Sequence, residues 1–431
     1  MLPVMPVCSS GAAKMLITLA LIVLALFGAP LFAVIGASAL IAFRGADIDL
    51  SVVAIEIFGL AEMPVLLAIP LFTFAGYVLS ESQAPRRLVR VTNALIGWMP
   101  GGLAIVSLAA CALFTAFTGA SGVTIIALGA LLYPALSQAG YSDKFNLGLI
   151  TSSGSLGLLF APSLPLILYG IVAKTSIDDL FLAGILPGLL MLILLSGWSI
   201  LTNPQTRRPM SSFSATEASA ALKEAAWELP LPIVVLGGIY SGYFAVSEAA
   251  AVTATYVFIV EVVIRREISW RGLPALMRES MVLVGGILLI LGVSLASTNF
   301  VIDSGLPERL FDLLDQFVSS QATFLALLIV FLLILGAFLD IFSALVLVVP
   351  MILPVALRYD VDPVHLGIIF LATMQLGYMT PPVGLNLFIA SYRFDKPIMQ
   401  VYAASVPFLL ILLAAVLVIT YWPGLSLFFL N

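Results

Sequence analysis

Leu156-Gly157-Leu158-Leu159-Phe160-Ala161-Pro162 and Leu376-Gly377-Tyr378-Met379-Thr380-Pro381-Pro382-Val383-Gly384-Leu385-Asn386 interrupt two otherwise apolar stretches in the same way. Gly157 falls on Gly377, and Pro162 on Pro382. Upstream of each lies a second interruption, Thr118-Gly119-Ala120-Ser121-Gly122 in the first half and Gly336-Ala337-Phe338-Leu339-Asp340 in the second, with Pro134 falling on Pro354. Such breaks expose N–H and C=O groups that hydrocarbon cannot satisfy, so they are costly unless used. Duplicated apolar halves broken at matched positions are the sequence sign of a secondary transporter with its site at the bilayer midplane.

Composition sets the class. Hydrophobic residues make up 62% of the 431 and charged residues 10%, and the mean hydropathy is +1.18; no ordinary soluble domain has this balance, so the chain reads as an integral membrane protein. The 18 Lys and Arg are scattered, which leaves no nucleic-acid footprint. Cys8, Cys111 and His365 supply neither a disulfide framework nor a zinc site. There is no histidine pair, phosphate loop or nucleophile with a nearby base, so no enzyme is expected. Ser121 suggests an intramembrane hydrolase only if a lysine or histidine accompanied it, and none lies near in sequence.

Residues 1–14 read as an N-terminal extension, with Met15 as an alternative start. Residues 15–201 form a first repeat, 202–228 a hydrophilic cytoplasmic linker, and 229–431 a second repeat. Apolar stretches at 15–43, 64–79, 145–173, 181–201, 229–244, 246–264, 280–302, 365–392 and 400–422 read as spans. Segments 103–137 and 322–356 are too long for one span and short for two, which fits re-entrant hairpins. Basic clusters at Arg86, Arg87 and Arg90, at Arg207, Arg208 and Lys223, at Arg265, Arg266, Arg271 and Arg278, and at Arg393 with Lys396 mark cytoplasmic loops. The acidic loops around Arg309 and Arg358 then lie outside. Threading the spans puts the N-terminus in the cytoplasm and the C-terminus outside, and inverts the second repeat against the first. The fold class is an all-α polytopic membrane protein of two inverted repeats, each with a re-entrant hairpin and a broken transmembrane helix.

Unwound backbone presents carbonyl oxygens, which suit a hard cation such as sodium, and half-helix N-termini present N–H groups, which suit a carboxylate. The alternative is that these Gly and Pro residues only kink packed helices. The hairpin midpoints fall near Ala120 and Asp340, so each tip is expected to reach the broken helix of its own half. A carboxylate at mid-membrane costs about 3 kcal/mol; Asp340 therefore caps the second arm of its hairpin, lines the site, or does both. His365, beside Asp362 and Pro363, reads as an interfacial or capping residue, and Glu248 as a helix-start residue.

Several further runs are spaced through the chain: Leu67-Leu-Ala-Ile-Pro-Leu-Phe72, Gly97-Trp-Met-Pro-Gly-Gly-Leu103, Leu166-Ile-Leu-Tyr-Gly170, Asp179-Leu-Phe-Leu-Ala-Gly-Ile-Leu-Pro-Gly188 and Gly237-Gly-Ile-Tyr-Ser-Gly242. With Thr380-Pro-Pro-Val-Gly-Leu-Asn386 they resemble the large membrane subunit of tripartite ATP-independent periplasmic (TRAP) transporters, from about Met15 onward. The resemblance implies an elevator-type, sodium-coupled importer of a small organic anion in a bacterial or archaeal inner membrane. It implies two partners, a small four-span membrane subunit and a periplasmic substrate-binding protein, and no cofactor beyond Na+ as coupling ion. Carried over, one sodium site uses Gly336, Gly377, Thr380 and Val383; its pseudo-symmetric mate uses Thr118, Ser121, Gly157, Phe160 and Ser163. Substrate lies near Ser155, Asp340 and Asn386, with membrane lipid around the whole. This chain departs from many members in having Ala120 within the first tip and Ala161 before Pro162. The rival within transport is a stand-alone carboxylate or ion antiporter of related fold that needs no binding protein.

Overall fold

The computed structural model describes residues 29–46, 48–60, 62–203, 213–303 and 320–430, together with residues 16, 19–21, 23, 24, 27, 305, 311 and 318. The 1–14 extension, Arg207 and Arg208 of the linker, and Glu308, Arg309, Asp312 and Asp315 lie outside the described residues. Every element among the described residues is helical. In chain order they are α1 (Leu31–Gly45), α2 (Ser51–Leu60), a 3-10 turn Pro64–Leu67 leading into α3 (Ala68–Glu81), α4 (Ala84–Ile96), α5 (Gly102–Thr118), α6 (Ser121–Gln138), α7 (Asp143–Ser153), a 3-10 turn Leu156–Leu159, α8 (Leu164–Ala173), α9 (Ile177–Ala183) and α10 (Ile185–Thr202). The second half continues with α11 (Ala215–Glu224), α12 (Pro230–Tyr240), α13 (Val246–Phe258), α14 (Leu273–Asp303), α15 (Gln321–Phe338), α16 (Ile341–Arg358), α17 (Pro363–Gly377), α18 (Leu385–Phe394), α19 (Ile398–Tyr421) and α20 (Gly424–Leu427). Among the described residues eight helices are long and apolar enough to cross a membrane, and the pair α7 and α8 with its 3-10 turn, bent by 45° at the break, counts as a ninth if it is taken as one span.

Local chemistry places the ends. Ser142 caps α7 through Phe145 N–H, Ser176 caps α9 through Asp179 N–H, and Ser320 caps α15 through Thr323 N–H. Asp362 takes the N–H groups of Val364 and His365 at the start of α17, ahead of Pro363 at a first-turn position where its missing N–H costs nothing. Glu248 accepts the Ala245 N–H at 3.0 Å and so holds the start of α13, as its place in the sequence suggests.

Two packing groups result. A framework joins α3 to α13 and lays α1, α2 and α3 along the long α14. A core contains two hairpins, α5 with α6 and α15 with α16, and two broken helices, α7 with α8 and α17 with α18, backed by α10 and α19. Within the core, the first arm of each hairpin packs on the broken helix of its own half, α5 on the Leu156–Leu159 turn and α15 on α17. The second arm crosses over: α6 packs on α18, and α16 on α8. The second arms also pack on the broken helices of their own halves, α6 on α7 and α16 on α17, so each tip reaches the broken helix of its own half while the repeats interlock.

Other differences have local causes. The 15–43 span is not one helix, because Pro30 adopts an extended backbone (φ −56°, ψ 132°) and α1 starts only after it. A separate helix, α2, follows where a loop was expected. In the 229–244 stretch only the 11 residues of α12 are helical, about 16 Å of rise and too short to cross alone. The hydrophilic linker contains α11, capped by Ser214 at Glu217 N–H and packed on α4. His365 does not cap its helix, a role that Asp362 takes: it is buried, with Nδ1 against Ser426 Oγ and Nε2 against the Thr420 carbonyl, each at 3.2 Å, and ties α17 to the end of α19.

The amphipathic α4 links framework to core, and its first turn is anchored by charge. Arg87 is buried between Glu228, Glu261 and Glu267 at 2.6, 3.3 and 2.5 Å, and Arg265 lies 3.6 Å from Glu228. A π-helical turn over Ile259–Ile264 carries Glu261. Burial opposes ionisation of Glu267, but hydrogen bonds from the Arg87 guanidinium and the Gln83 N–H outweigh it and hold the carboxyl below its ordinary range. Removing one partner of a buried ion cluster strands the others. Arg87→Ala is expected to cost about 3–5 kcal/mol and to lower the thermal unfolding midpoint in detergent. Arg90→Ala, which only frees exposed Glu217 and Glu224, is expected to leave the midpoint nearly unchanged.

Candidate functional site

Both hairpins turn within two residues, Gly119-Ala120 and Leu339-Asp340. Gly119 has φ +65°, and a Cβ there would stand 2.7 Å from the Leu164 side chain, so the first tip sits directly on the start of α8. In the second break, Gly384 has φ +57° and its N–H donates to the Ala337 carbonyl at 3.2 Å, tying the loop to the end of α15. The peptide bonds before Pro162 and Pro382 are both cis, at matched positions.

These interruptions bring helix ends together by sign. The carboxyl-terminal ends of α15 and α17 meet where Gly377 approaches Gly336; a Cβ on Gly377 would lie 2.5 Å from Gly336 Cα and 3.1 Å from its carbonyl oxygen. The first repeat makes the matching approach, a Cβ on Gly157 lying 2.2 Å from the Ala112 carbonyl and 2.5 Å from Ala116 N. Helix carboxyl ends carry partial negative charge, so the Gly336–Gly377 approach suits a cation; in the first repeat the 3-10 turn that holds Gly157 lies against the last two turns of α5. The amino ends of α6 and α18 meet from opposite repeats: Ser121 Oγ donates to Asn386 Oδ1 at 2.8 Å, and Asn386 Nδ2 donates to the Thr151 carbonyl at 3.4 Å. Neither of these two amino ends has a side-chain cap; at α6 this leaves N–H donors suited to an anion, whereas at α18 the Asn386 and Leu387 N–H groups bond the Tyr378 and Gly384 carbonyls.

The amino end of α16 is different. Asp340 Oδ1 accepts from Phe342 N–H and Ser343 N–H at 3.0 Å, and Oδ2 from Ser343 Oγ at 2.5 Å. Asp340 therefore caps its own arm, one of the two roles the sequence leaves open, and its charge faces the positive end of α16.

Among the other residues singled out by sequence, Thr118 and Ser163 stand next to the Gly119–Leu164 contact, and both hydroxyls are buried without a hydrogen-bond partner. An orphaned buried hydroxyl costs about 1–3 kcal/mol; its lone pairs fit a cation ligand. The Gly157 carbonyl accepts Phe160 N–H at 3.0 Å, and the Phe160 carbonyl accepts Ser163 N–H at 3.1 Å. Thr380 Oγ1 donates to the Leu376 carbonyl at 3.0 Å, which leaves its lone pairs available, and Val383 is exposed in the same loop. Ser155 is buried, bonded to the Ser152 carbonyl at 3.4 Å, beside Gly154, where a Cβ would lie 3.2 Å from the Ser121 carbonyl. Ser121, Ser155 and Asn386 thus share one neighbourhood, whereas Asp340 is bound to its own tip.

Sequence reasoning missed Thr115 and Tyr378. Thr115 Oγ1 bonds Thr124 Oγ1 at 2.7 Å and donates to the Gly154 carbonyl at 2.9 Å, joining both arms of the first hairpin to its broken helix. The signal was present, two threonines nine positions apart across a two-residue tip, but only pairing gives it meaning. The run Thr151-Ser152-Ser153-Gly154-Ser155-Leu156-Gly157 is expected from its hydroxyls and glycines to unwind as a whole; Thr151 to Ser153 instead remain helical, with the Thr151 and Ser152 hydroxyls turned back onto the carbonyls of Leu147 and Gly148.

The two glycine approaches are between backbones, which cannot rotate aside. Gly377→Ala and Gly157→Ala are expected to destabilise by about 1–3 kcal/mol each, as overpacking does, and to lower the unfolding midpoint in detergent. Gly197→Ala in α10, where a Cβ meets nothing within 4 Å, is expected to be neutral or mildly stabilising.

Comparison with known proteins agrees with this architecture. A family model described as "Tripartite ATP-independent periplasmic transporter, DctM component" matches residues 16–425. The chain is 35% identical over 375 residues to the C4-dicarboxylate TRAP transporter large permease protein DctM of Pseudomonas aeruginosa, covering 87% of this chain and 88% of that one. It is 33% identical over 427 residues to the protein of the same name from Rhodobacter capsulatus, covering 94% and 96%. It is 31% identical over 364 residues to the sialic acid TRAP transporter large permease protein SiaM of Vibrio cholerae, covering 84% and 85%. In fold it is similar to the crystal structure of the Alcanivorax borkumensis YdaH transporter, with a TM-score of 0.58, 15% identity, and 86% and 87% of the two chains covered. Paired hairpins, two matched helix breaks and a family match over nearly the whole length lead to one conclusion: the chain belongs to the DctM family, the large permease component of tripartite ATP-independent periplasmic transporters.

Proposed function

We propose that this permease imports a small organic anion, coupled to sodium, by moving its core of hairpins and broken helices against the framework in an elevator motion. The observation that carries the reading is the sorting of helix ends: carboxyl ends paired at Gly336–Gly377, and uncapped amino ends paired at Ser121–Asn386. Sodium is held by Gly336, Gly377, Thr380 and Val383 in one site and by Thr118, Ser121, Gly157, Phe160 and Ser163 in the other. The substrate carboxylate takes the amino ends of α6 and α18, with Ser155 and Asn386 at its side and Asp340 fixing the opposite tip. Relatives are named for C4-dicarboxylates and sialic acid, which supports a carboxylate as the cargo.

Each charge moved through 100 mV gives about 2.3 kcal/mol. Two sodium ions entering with one monoanion gain that amount net from voltage alone, enough for about 50-fold accumulation. The permease works with a small four-span membrane subunit and a periplasmic substrate-binding protein. It sits in the cytoplasmic membrane with its N-terminus inside and C-terminus outside, as the basic clusters favour.

A C-terminally tagged chain extracted in mild detergent is expected to bring down the small membrane subunit in stoichiometric amount, seen by mass spectrometry; isolation of an active chain by itself would make it a stand-alone carrier. In proteoliposomes with those partners, Thr118→Ala and Ser163→Ala are each expected to raise the sodium concentration for half-maximal uptake about 10-fold or more, the cost of losing a ligand to a charge. Sodium dependence unchanged in both variants would remove the first site from the reading.

A further inference from the structure

We propose that Tyr378 is a positioning residue that clamps the second hairpin tip onto the second helix break, so that ion binding at the break and closure of the tip are one event. The proposal rests on the sodium reading above and adds to it a residue that neither the motifs nor the pairing of glycines identified.

Tyr378 lies between Gly377 and Thr380 in the second break and is itself buried, 3% exposed. Its phenol oxygen accepts the N–H of Ile341 at 2.7 Å. Ile341 is the first residue of α16 and follows Asp340, whose carboxylate is already committed to Phe342 and Ser343. The Ile341 N–H cannot use that cap and has no partner within its own helix, since the first turn of any helix leaves its N–H groups unpaired. The phenol supplies the missing acceptor from another element.

The backbone of Tyr378 reaches the other way. Its carbonyl accepts the N–H of Asn386 at 3.2 Å, and Asn386 is the residue whose side chain holds Ser121 of the first tip. One residue thus bonds the second tip through its side chain and the start of α18 through its main chain. Moving the second tip away from the break must break the Ile341–Tyr378 bond and leave a buried N–H without a partner. A cation held by carbonyls of the break fixes the backbone that carries Tyr378 and thereby favours the closed tip. By reciprocity, a closed tip favours the cation.

The bond can be cut from both sides. Tyr378→Phe removes the acceptor and keeps the ring. Ile341→Pro removes the donor at a first helical position, where proline is well accommodated, and Asp340 already has the extended backbone (φ −71°, ψ 157°) that a following proline requires.

The test uses the full-length chain in proteoliposomes with Cys8→Ala, Cys111→Ala and a reporter Leu339→Cys at the tip. The labelling rate of the reporter by N-ethylmaleimide is titrated with sodium chloride against choline chloride. With Tyr378 intact, sodium is expected to slow labelling. In Tyr378→Phe and in Ile341→Pro the midpoint is expected to rise at least about fivefold, as for a buried donor left unpaired, and the double variant to shift no further than either single one. Unchanged midpoints in both single variants, or additive shifts in the double, would overturn the clamp. If sodium leaves labelling unaffected when Tyr378 is intact, the ion reading fails by itself. The clamp is then judged by the ion-free rate: faster labelling in both variants supports it, and equal rates refute it.

Discussion

Inside hydrocarbon every backbone N–H and C=O must find a partner within the protein, and this constraint organises the molecule. Four interruptions break that pairing, one at each hairpin tip and one in each broken helix. The structure meets the cost by setting the interruptions against each other: Gly119 on the start of α8, Gly384 N–H on Ala337, Thr115 on the Gly154 carbonyl, Ile341 N–H on Tyr378. Each repair joins elements far apart in sequence. The breaks therefore hold the core together as well as opening it.

The same arrangement separates charge preferences. Carboxyl ends gather at the Gly336–Gly377 approach, and the amino ends of α6 and α18 gather at Ser121 and Asn386. Inverted symmetry would put an equivalent free amino end at α16, but Asp340 occupies it. The first tip has Ala120 at the corresponding place, which offers no cap. An exchange of one side chain between otherwise matched halves thus leaves one tip with its amino end open and the other with it closed.

Crossing of the second arms gives this asymmetry its mechanical setting. Because α6 lies on α18 and α16 on α8, the core coheres across the repeats. The framework touches that core through α3 and α14, while α4 runs between them with its first turn fixed by the Arg87 cluster. A largely buried cluster of two guanidiniums and three carboxylates is a poor source of stability but a good source of fixed geometry. It holds one end of the connection between framework and core.

Hydropathy, charge bias and duplicated Gly/Pro breaks carried the membrane class, the two hairpins, the two broken helices and the inverted repeat, because each is a local property of twenty or so residues in a solvent that forbids unpaired backbone. Helix starts at Asp340 and Glu248 were legible for the same reason: a cap acts within four residues. The sequence did not disclose that Arg87 is buried, that His365 ties α17 to the end of α19, that the second arms cross between repeats, or that Tyr378 links a tip to a break. Arginine in a basic cluster looks the same whether it faces water or three glutamates, and a tyrosine beside Gly377 looks like any apolar filler. Those roles depend on which distant groups arrive within hydrogen-bonding reach, and only tertiary packing brings them there.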